Sequence, residues 1–236
     1  MRLCLDGGNT LLKWGLADKS GWAQRGLLRW EDLPQFAEEV RHFPPVSKTL
    51  LAHVAGDTRE AALRAALPQY RIEKIQSGKA AGGVINGYKN PEKLGVDRWC
   101  ALIGARAHFK EASLVVTAGT ATTIDSLSSD GHFLGGLILP GVGLMKHALA
   151  EHTAGLPFVE EGRHVAFADN TADAIVSGVL EAQAGAVERA FERLPNASLC
   201  LVSGGAAPAL APLLSHLSAQ VFPGLVLEGV RQLSFA

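Results

Sequence analysis

Two stretches of this chain, about 110 residues apart, spell the same local pattern, and that duplication limits the fold more than composition does. In the first, Leu3, Cys4 and Leu5 form an apolar run, Asp6-Gly7-Gly8-Asn9 is a cluster of turn formers, and Thr10 to Leu16 resumes an extended pattern. In the second, Leu114 to Val116 is the run, Thr117-Ala118-Gly119-Thr120 the turn and Ala121 to Leu127 the return. Each is followed by another turn, Asp18-Lys19-Ser20-Gly21 or Ser129-Asp130-Gly131, and by a third extended segment, Trp22 to Leu28 or His132 to Leu139. The pattern predicts an α/β protein of two tandem lobes, 1–111 and 112–236, each opening on an antiparallel meander. Gly and Asn accept the positive φ of short hairpin turns, and a plain hairpin is enough to account for glycine at either place.

Helical spacing fills the intervals. Leu33, Phe36, Ala37, Val40 and Phe43 recur at that spacing until Pro44-Pro45 stops them. Thr49 to Val54 and Tyr70 to Ile75 read as strands joined by a helix that Asp57 can cap, which makes them a parallel pair. From Gln76 to Lys93 the chain turns to Gly, Lys and Asn, with Tyr88 and Pro91, and reads as a long ordered loop or lid. Helices are expected over 94–109, with Asp97 and Arg98 near its start, over 141–150, and over 170–194 with Asp169-Asn170-Thr171 as cap. Leu199 to Val202 reads as a strand that runs into Ser203-Gly204-Gly205 and a helix over 206–217.

Charge and cysteine usage remove several classes of partner. With 22 Lys and Arg against 23 Asp and Glu, and a pI of 6.7, the chain has no basic footprint for nucleic acid or anionic lipid. Cys4, Cys100 and Cys200 lack the spacing of a disulfide framework or zinc site, and the histidines show no metal-ligand spacing. No Gly-x-Gly-x-x-Gly or Walker stretch occurs. The apolar run before Asp6, Leu3 to Leu5, is only three residues long, too short for the h-region of a signal peptide. The uncharged stretch from Leu194 to Leu227 is interrupted too often by proline and by Gly204-Gly205 to form a membrane helix. A cytoplasmic protein with reduced thiols is expected.

The repeated turns carry chemistry as well as geometry. Around the first stand the Asp6 carboxylate, the bare backbone of Gly7 and Gly8, Asn9, the Thr10 hydroxyl, then Leu11, Leu12 and the Lys13 ammonium on the returning strand. Exposed N–H groups, a hydroxyl and an ammonium are the parts that cradle a polyphosphate, and a carboxylate can hold its Mg2+ through water. With the two turns facing one another, Thr10 and Thr120 become matched donors to a nucleoside triphosphate. A glycine pair after a strand, Gly204-Gly205, lets a flat ring or phosphate approach the backbone.

Together these motifs resemble the type III pantothenate kinase family, within the superfamily of acetate and sugar kinases, heat-shock 70 proteins and actin. The resemblance rests on Asp6-Gly7-Gly8-Asn9-Thr10 with Lys13, on Tyr88 through Asn90-Pro91 to Gly95-Val96-Asp97-Arg98, on Gly119-Thr120-Ala121, on Asn170-Thr171 and on Ser203-Gly204-Gly205. It covers essentially the whole chain. It implies two ribonuclease H-like lobes, each a mixed sheet with helices, a nucleotide cleft between them, and ATP-dependent phosphorylation of pantothenate, the first step towards coenzyme A.

By resemblance Asp97 is the catalytic base, Tyr88, Gly95, Val96, Asp97 and Arg98 hold pantothenate, and Thr171 reaches the pantothenate site of a neighbouring subunit in a homodimer. ATP would lie against Asp6 to Lys13, Thr120, Gly204 and Gly205, with Mg2+ at Asp6. One departure concerns the activating K+ or NH4+: the family commonly has Asp where this chain has Thr117, which offers only a neutral oxygen. Asp125 stands eight residues further on, a spacing that does not set its distance from Thr117 in space. Two other functions compete: a kinase of the same fold for another small alcohol, and a nucleotide-dependent actin-like regulatory protein, which would leave Asp97 without a task.

Overall fold

The meander at the N-terminus forms as its alternation dictates. In the computed structural model, which describes residues 1–236, β1 (Arg2–Gly7), β2 (Leu11–Asp18) and β3 (Gly21–Arg29) run antiparallel, and Asp6 faces Lys13 across the first pair. A 3-10 turn at Trp30–Asp32 leads into α1 (Leu33–Glu39). The chain then returns as β4 (Lys48–His53), crosses through α2 (Asp57–Ala66) and adds β5 (Ile72–Lys74). β4 lies parallel to β1 and β5 parallel to β4, giving the sheet order β3-β2-β1-β4-β5. Leu3, Leu5, Leu12 and Trp14 meet Phe36, Leu63 and Leu67 in one core, each such side chain contributing about 1.5–3 kcal/mol by leaving water. Asp57 does not cap α2: it is the first helical residue, and Gly56, at φ 81°, holds the cap position because the turn from β4 needs a left-handed residue there.

The segment expected as an unbroken loop contains a hairpin, β6 (Ala80–Ala81) and β7 (Val84–Asn86). Gly82 and Gly83, both at positive φ, make its two-residue turn. Strands this short leave no alternation to read. Next comes α3 (Val96–His108), buried from Arg98 to Ala105.

The second meander is β8 (Ser113–Ala118), β9 (Ala121–Leu127) and β10 (His132–Pro140). It is followed by α4 (Val142–His152) and the long α5 (Thr171–Arg193). The cap of α5 is Asn170, whose Oδ1 accepts the Asp173 N–H at 2.9 Å, and Thr171 is its first residue. β11 (Leu199–Ser203) runs parallel to β8, and β12 (Ala219–Val221) parallel to β11. Between them the expected single helix is instead α6 (Ala207–Leu210) followed by a 3-10 stretch over Ala211–Leu217. Pro212 lacks the N–H an α-helix would use there. α7 (Leu225–Ser234), which the sequence analysis did not separate from its surroundings, ends the chain.

Two compact units result: Met1–Lys110 with Gly131–Phe133 and Gly224–Ala236, and Glu111–Asp130 with Leu134–Pro223. These units are discontinuous, unlike the expected lobes 1–111 and 112–236, and α7 packs with the first unit. There Glu228 accepts hydrogen bonds from Trp22 Nε1, Arg231 and Gln232 at 2.9 Å each. Burial pushes its carboxyl up, but these donors outweigh burial and leave it below its ordinary value. The second unit is layered as β12-β11-β8-β9-β10, with a core of Leu114, Val116, Ile124, Val187, Val202 and Leu210. Cys4, Cys100 and Cys200 are buried free thiols. Burial pushes Cys4 and Cys200 up to about 12. No helix is long and apolar enough to cross a membrane.

Candidate active site

The first turn is a two-residue loop, Asn9-Thr10, closed by a hydrogen bond from Gly8 N to Leu11 O at 3.1 Å. Gly7, Gly8 and Asn9 do not take the positive φ expected of them. Glycine is required at position 7 for close approach: a Cβ there would sit 2.4 Å from His53 Nδ1, on the neighbouring β4. The His53 ring is held by its Nε2 on Gly56 O at 2.8 Å.

Behind Gly8, Asp6 is almost fully buried, and Lys13 Nζ donates to its Oδ2 at 3.2 Å. Burial raises the Asp6 carboxyl above its ordinary value, Lys13 opposes that shift, and the Asp97 charge adds to it. The Asp97 charge thus reaches Asp6, with less effect than burial or Lys13. A buried carboxylate with an ammonium beside it is a set that suits a hydrated divalent ion carrying phosphates. Mg2+ keeps several waters, so the absence of a larger carboxylate cluster does not argue against it.

Sequence reasoning missed three residues at this turn. Its successive carbonyls are all engaged: Gly7 O accepts Val54 N at 3.0 Å, Gly8 O accepts Trp30 Nε1 at 3.0 Å, and Asn9 O accepts Arg59 Nη1. The Arg59 guanidinium also lies over the Trp30 ring, 5.5 Å from its centroid. His53 comes from β4, where the parallel register pairs it with Gly7, Arg59 from α2, which follows that strand, and Trp30 from the 3-10 turn after β3, whose Arg29 pairs with Leu11 across from β2.

Asp97 is the second residue of α3, partly exposed, with its Oδ1 folded back over Gly95, where any Cβ would come within 2.7 Å of it. Arg98, 5% exposed, donates to Tyr88 Oη at 2.7 Å and lies over the Tyr88 and Phe133 rings. Asn86 pins the preceding loop by donating to Gly78 O and Pro91 O and accepting the Tyr88 N–H. Tyr88, Gly95, Val96, Asp97 and Arg98 are thus one structural group, and Asn86 and Phe133 belong with it.

In the second unit Gly119 and Thr120 form the turn, and Gly119 N donates to Ala121 O at 3.1 Å. Gly204, at φ 99°, is pressed against the end of β8, where a Cβ would lie 2.3 Å from Ala118 O. Gly205 has nothing within 4 Å of a Cβ, and Gly119 meets only an ordinary contact. Gly204 is therefore glycine for the fold, whereas no demand of the protein itself explains Gly205 or Gly119. Thr117 Oγ1 and Thr123 Oγ1, directly opposite one another on β8 and β9, are buried without a hydrogen-bond partner. Asp125, also buried, lies one cross-strand pair further along the same face, a proximity the sequence spacing left open.

A cavity of about 1020 Å3 separates α4 from α5, lined by Met145, Leu149, Leu156, Ile175 and Val179, with Asn170 and Thr171 at its polar end. Asp173 anchors the segment before α5. Its carboxyl is held at about 2 by the Arg163 N–H, by Asn170 and by the Arg163 guanidinium.

The fold is shared by solved chains that this chain matches over almost its whole length. A chain assigned to the Baf family of transcriptional activators from Campylobacter jejuni superposes with a TM-score of 0.66 at 24% identity, covering 98% of this chain and 96% of that one. One assigned as a 2-dehydro-3-deoxygalactonokinase from Sinorhizobium meliloti gives 0.61 at 14% identity, covering 98% and 96%. The sequence pattern of the family described as Type III pantothenate kinase matches residues 2–193. Proteins of that name from Dechloromonas aromatica (strain RCB) and Aromatoleum aromaticum are 45% and 47% identical, covering 99% and 98% of this chain and 99% and 96% of theirs. The chain belongs to the type III pantothenate kinase family, and it is a kinase.

Proposed function

We propose that this protein transfers the γ-phosphoryl group of ATP to the primary hydroxyl of pantothenate, the first step of coenzyme A synthesis. The observation that carries this is the Asp6-Lys13 pair buried at a glycine turn, with Asp97 close enough to perturb it, in a chain of this family. Lys13 and the amides of the first turn hold the triphosphate, and in the second unit Thr120 and the open backbone at Gly205 are assigned to ATP as the family resemblance implies, with Gly204 setting the path of that backbone. Arg98 and Tyr88 orient the acceptor through its carboxylate and polar groups. Asp97 takes the hydroxyl proton as the acceptor oxygen bonds to phosphorus and the bond to the ADP oxygen breaks. Asp6 would hold Mg2+ through water, and the ion, when bound, would supply charge neutralisation at the phosphates.

Two finer features belong to the same proposal. The apolar cavity between α4 and α5, with Phe167 96% exposed on the segment leading to α5, supports a homodimer in which Thr171 serves the partner subunit's acceptor site. A monovalent cation would meet the neutral oxygens of Thr117 and Thr123, which are unpaired and buried and so fit a weakly held ion.

The test is direct. Purified protein with ATP, Mg2+ and pantothenate yields ADP and phosphopantothenate. Asp97→Asn lowers kcat by about 10^2–10^4 while ATP binding persists. No product under any cation regime overturns the activity, and near-normal turnover by Asp97→Asn removes it from the role of base. Turnover with other small alcohols but not pantothenate would select the alternative acceptor class.

A further inference from the structure

Every peptide of this chain is trans, so the C=O of one peptide and the N–H of the same peptide point in opposite directions. Trp30 Nε1 draws the Gly8 carbonyl to one side of the first turn, and Arg59 draws the Asn9 carbonyl. Trp30 and Arg59 are stacked on each other, so both carbonyls are pulled the same way. The N–H groups of Asn9 and Thr10 are consequently turned together towards the opposite side. Two consecutive amides aimed alike make an anion-binding concavity.

We infer that Trp30 and Arg59 are positioning residues that set the affinity of the site for the nucleotide's phosphates, by fixing the two peptide planes of this turn. Neither needs to touch the ligand. The inference rests on the kinase function proposed above, because it assigns the anion to a nucleoside triphosphate. The arrangement is built for rigidity: His53 fills the space beneath Gly7, and Val54 N takes the remaining carbonyl. With all three carbonyls tied from behind, the amides have no freedom to turn away from a phosphate.

Trp30→Phe keeps a ring for Arg59 and deletes the donor, whereas Arg59→Met deletes both donor and charge. Losing a neutral hydrogen bond that orients an amide should raise KM for ATP about 3–10-fold in Trp30→Phe, and losing the charged one about 10–100-fold in Arg59→Met. In both, KM for pantothenate and the melting temperature stay near those of the unaltered protein, a split that general loosening would not produce. Arg59→Lys, which keeps a cationic donor, recovers part of the loss. Equal rises in both KM values, or an unchanged KM for ATP in both variants, overturn the assignment. Calorimetric titration with ATP alone reads the same effect without turnover. An unaltered protein that binds ATP but forms no phosphopantothenate therefore defeats the proposed function while still testing the brace, with weaker ATP binding in the variants supporting it and equal binding overturning it.

Discussion

The two glycine turns use one backbone device in opposite ways. At the first, the carbonyls of Gly8 and Asn9 are held by the side chains of Trp30 and Arg59. At the second, the Ala118 and Thr120 carbonyls are held by backbone alone: Ala206 N donates to Ala118 O at 3.1 Å, as Val54 N does to Gly7 O at the first, and Gly141 N donates to Thr120 O at 3.0 Å. The flanking cross-strand pairs differ as well. Asp6 opposite Lys13 is a buried carboxylate with an ammonium, while Thr117 opposite Thr123 is a pair of neutral hydroxyls. A turn braced by side chains can be altered in function without being unfolded. A turn braced by backbone demands the absence of side chains nearby, so its sensitive positions are glycines and the cost of changing them falls on the fold.

Gly204→Ala should therefore give the largest effect on stability. The new methyl meets Ala118 O in a backbone that already has φ 99°. The combined strain and overlap cost about 2–5 kcal/mol, which lowers the melting temperature by about 5–15 °C for a chain of this size. Gly205→Ala meets nothing and should leave melting unchanged while raising KM for ATP. Equal melting temperatures for the two variants would break the contrast between the turns.

Next in size is Lys13→Met, which probes the charged turn. Burial raises the Asp6 carboxyl, so its ionised form is lost, as pH falls, earlier than for an ordinary carboxylate, and Lys13 opposes that loss. Removing Lys13 should lower kcat/KM for ATP at neutral pH by about 10–100-fold, the scale of a charged hydrogen bond. It should also move the acid limb of the kcat/KM profile to higher pH. The same sign governs stability: a raised folded-state value for an acid means that ionised Asp6 costs stability above its unfolded value of about 3.9. Asp6→Asn should accordingly melt higher than the unaltered protein at neutral pH, with the gain vanishing in acid. A limb that stays in place, with only its height changed, would place Lys13 on the phosphates alone and uncouple it from Asp6.

How much of this was legible follows from the range of each signal. Both meanders, α3 with Asp97 and Arg98, and the cap at Asn170 are written in patterns a few residues long. The brace at the first turn is not. Trp30 and Arg59 lie some 20 and 50 residues from the carbonyls they hold, and as single side chains in ordinary helical or turn contexts they carry no pattern. Phe133 reaches Tyr88 and Arg98 through the parallel pairing of β10 with β7, a strand too short to announce itself. The glycines misled in a different way. Gly7 looked like a torsional requirement and is a steric one, because the His53 ring that excludes a Cβ belongs to another strand.

The smallest effect belongs to Thr117. Its hydroxyl and that of Thr123 are buried and unpaired, a condition that costs about 1–3 kcal/mol for each group if nothing bonds them. A monovalent cation satisfies such oxygens only weakly, since neither is charged, so K+ or NH4+ should activate turnover modestly and at high concentration. Thr117→Val removes one orphan hydroxyl at nearly constant shape, and should leave stability unchanged or raise it by up to about 1 kcal/mol while abolishing any activation. Thr117→Asp supplies the charge the pair lacks, next to buried Asp125 on the same face. Two carboxylates held close repel one another unless a cation stands between them. That variant should therefore melt lower in choline chloride than in potassium chloride, and its activity should saturate at lower K+ than that of the unaltered chain. If potassium and choline make no difference to Thr117→Asp in either respect, the threonine pair holds no ion, and the second turn differs from the first by contributing backbone alone.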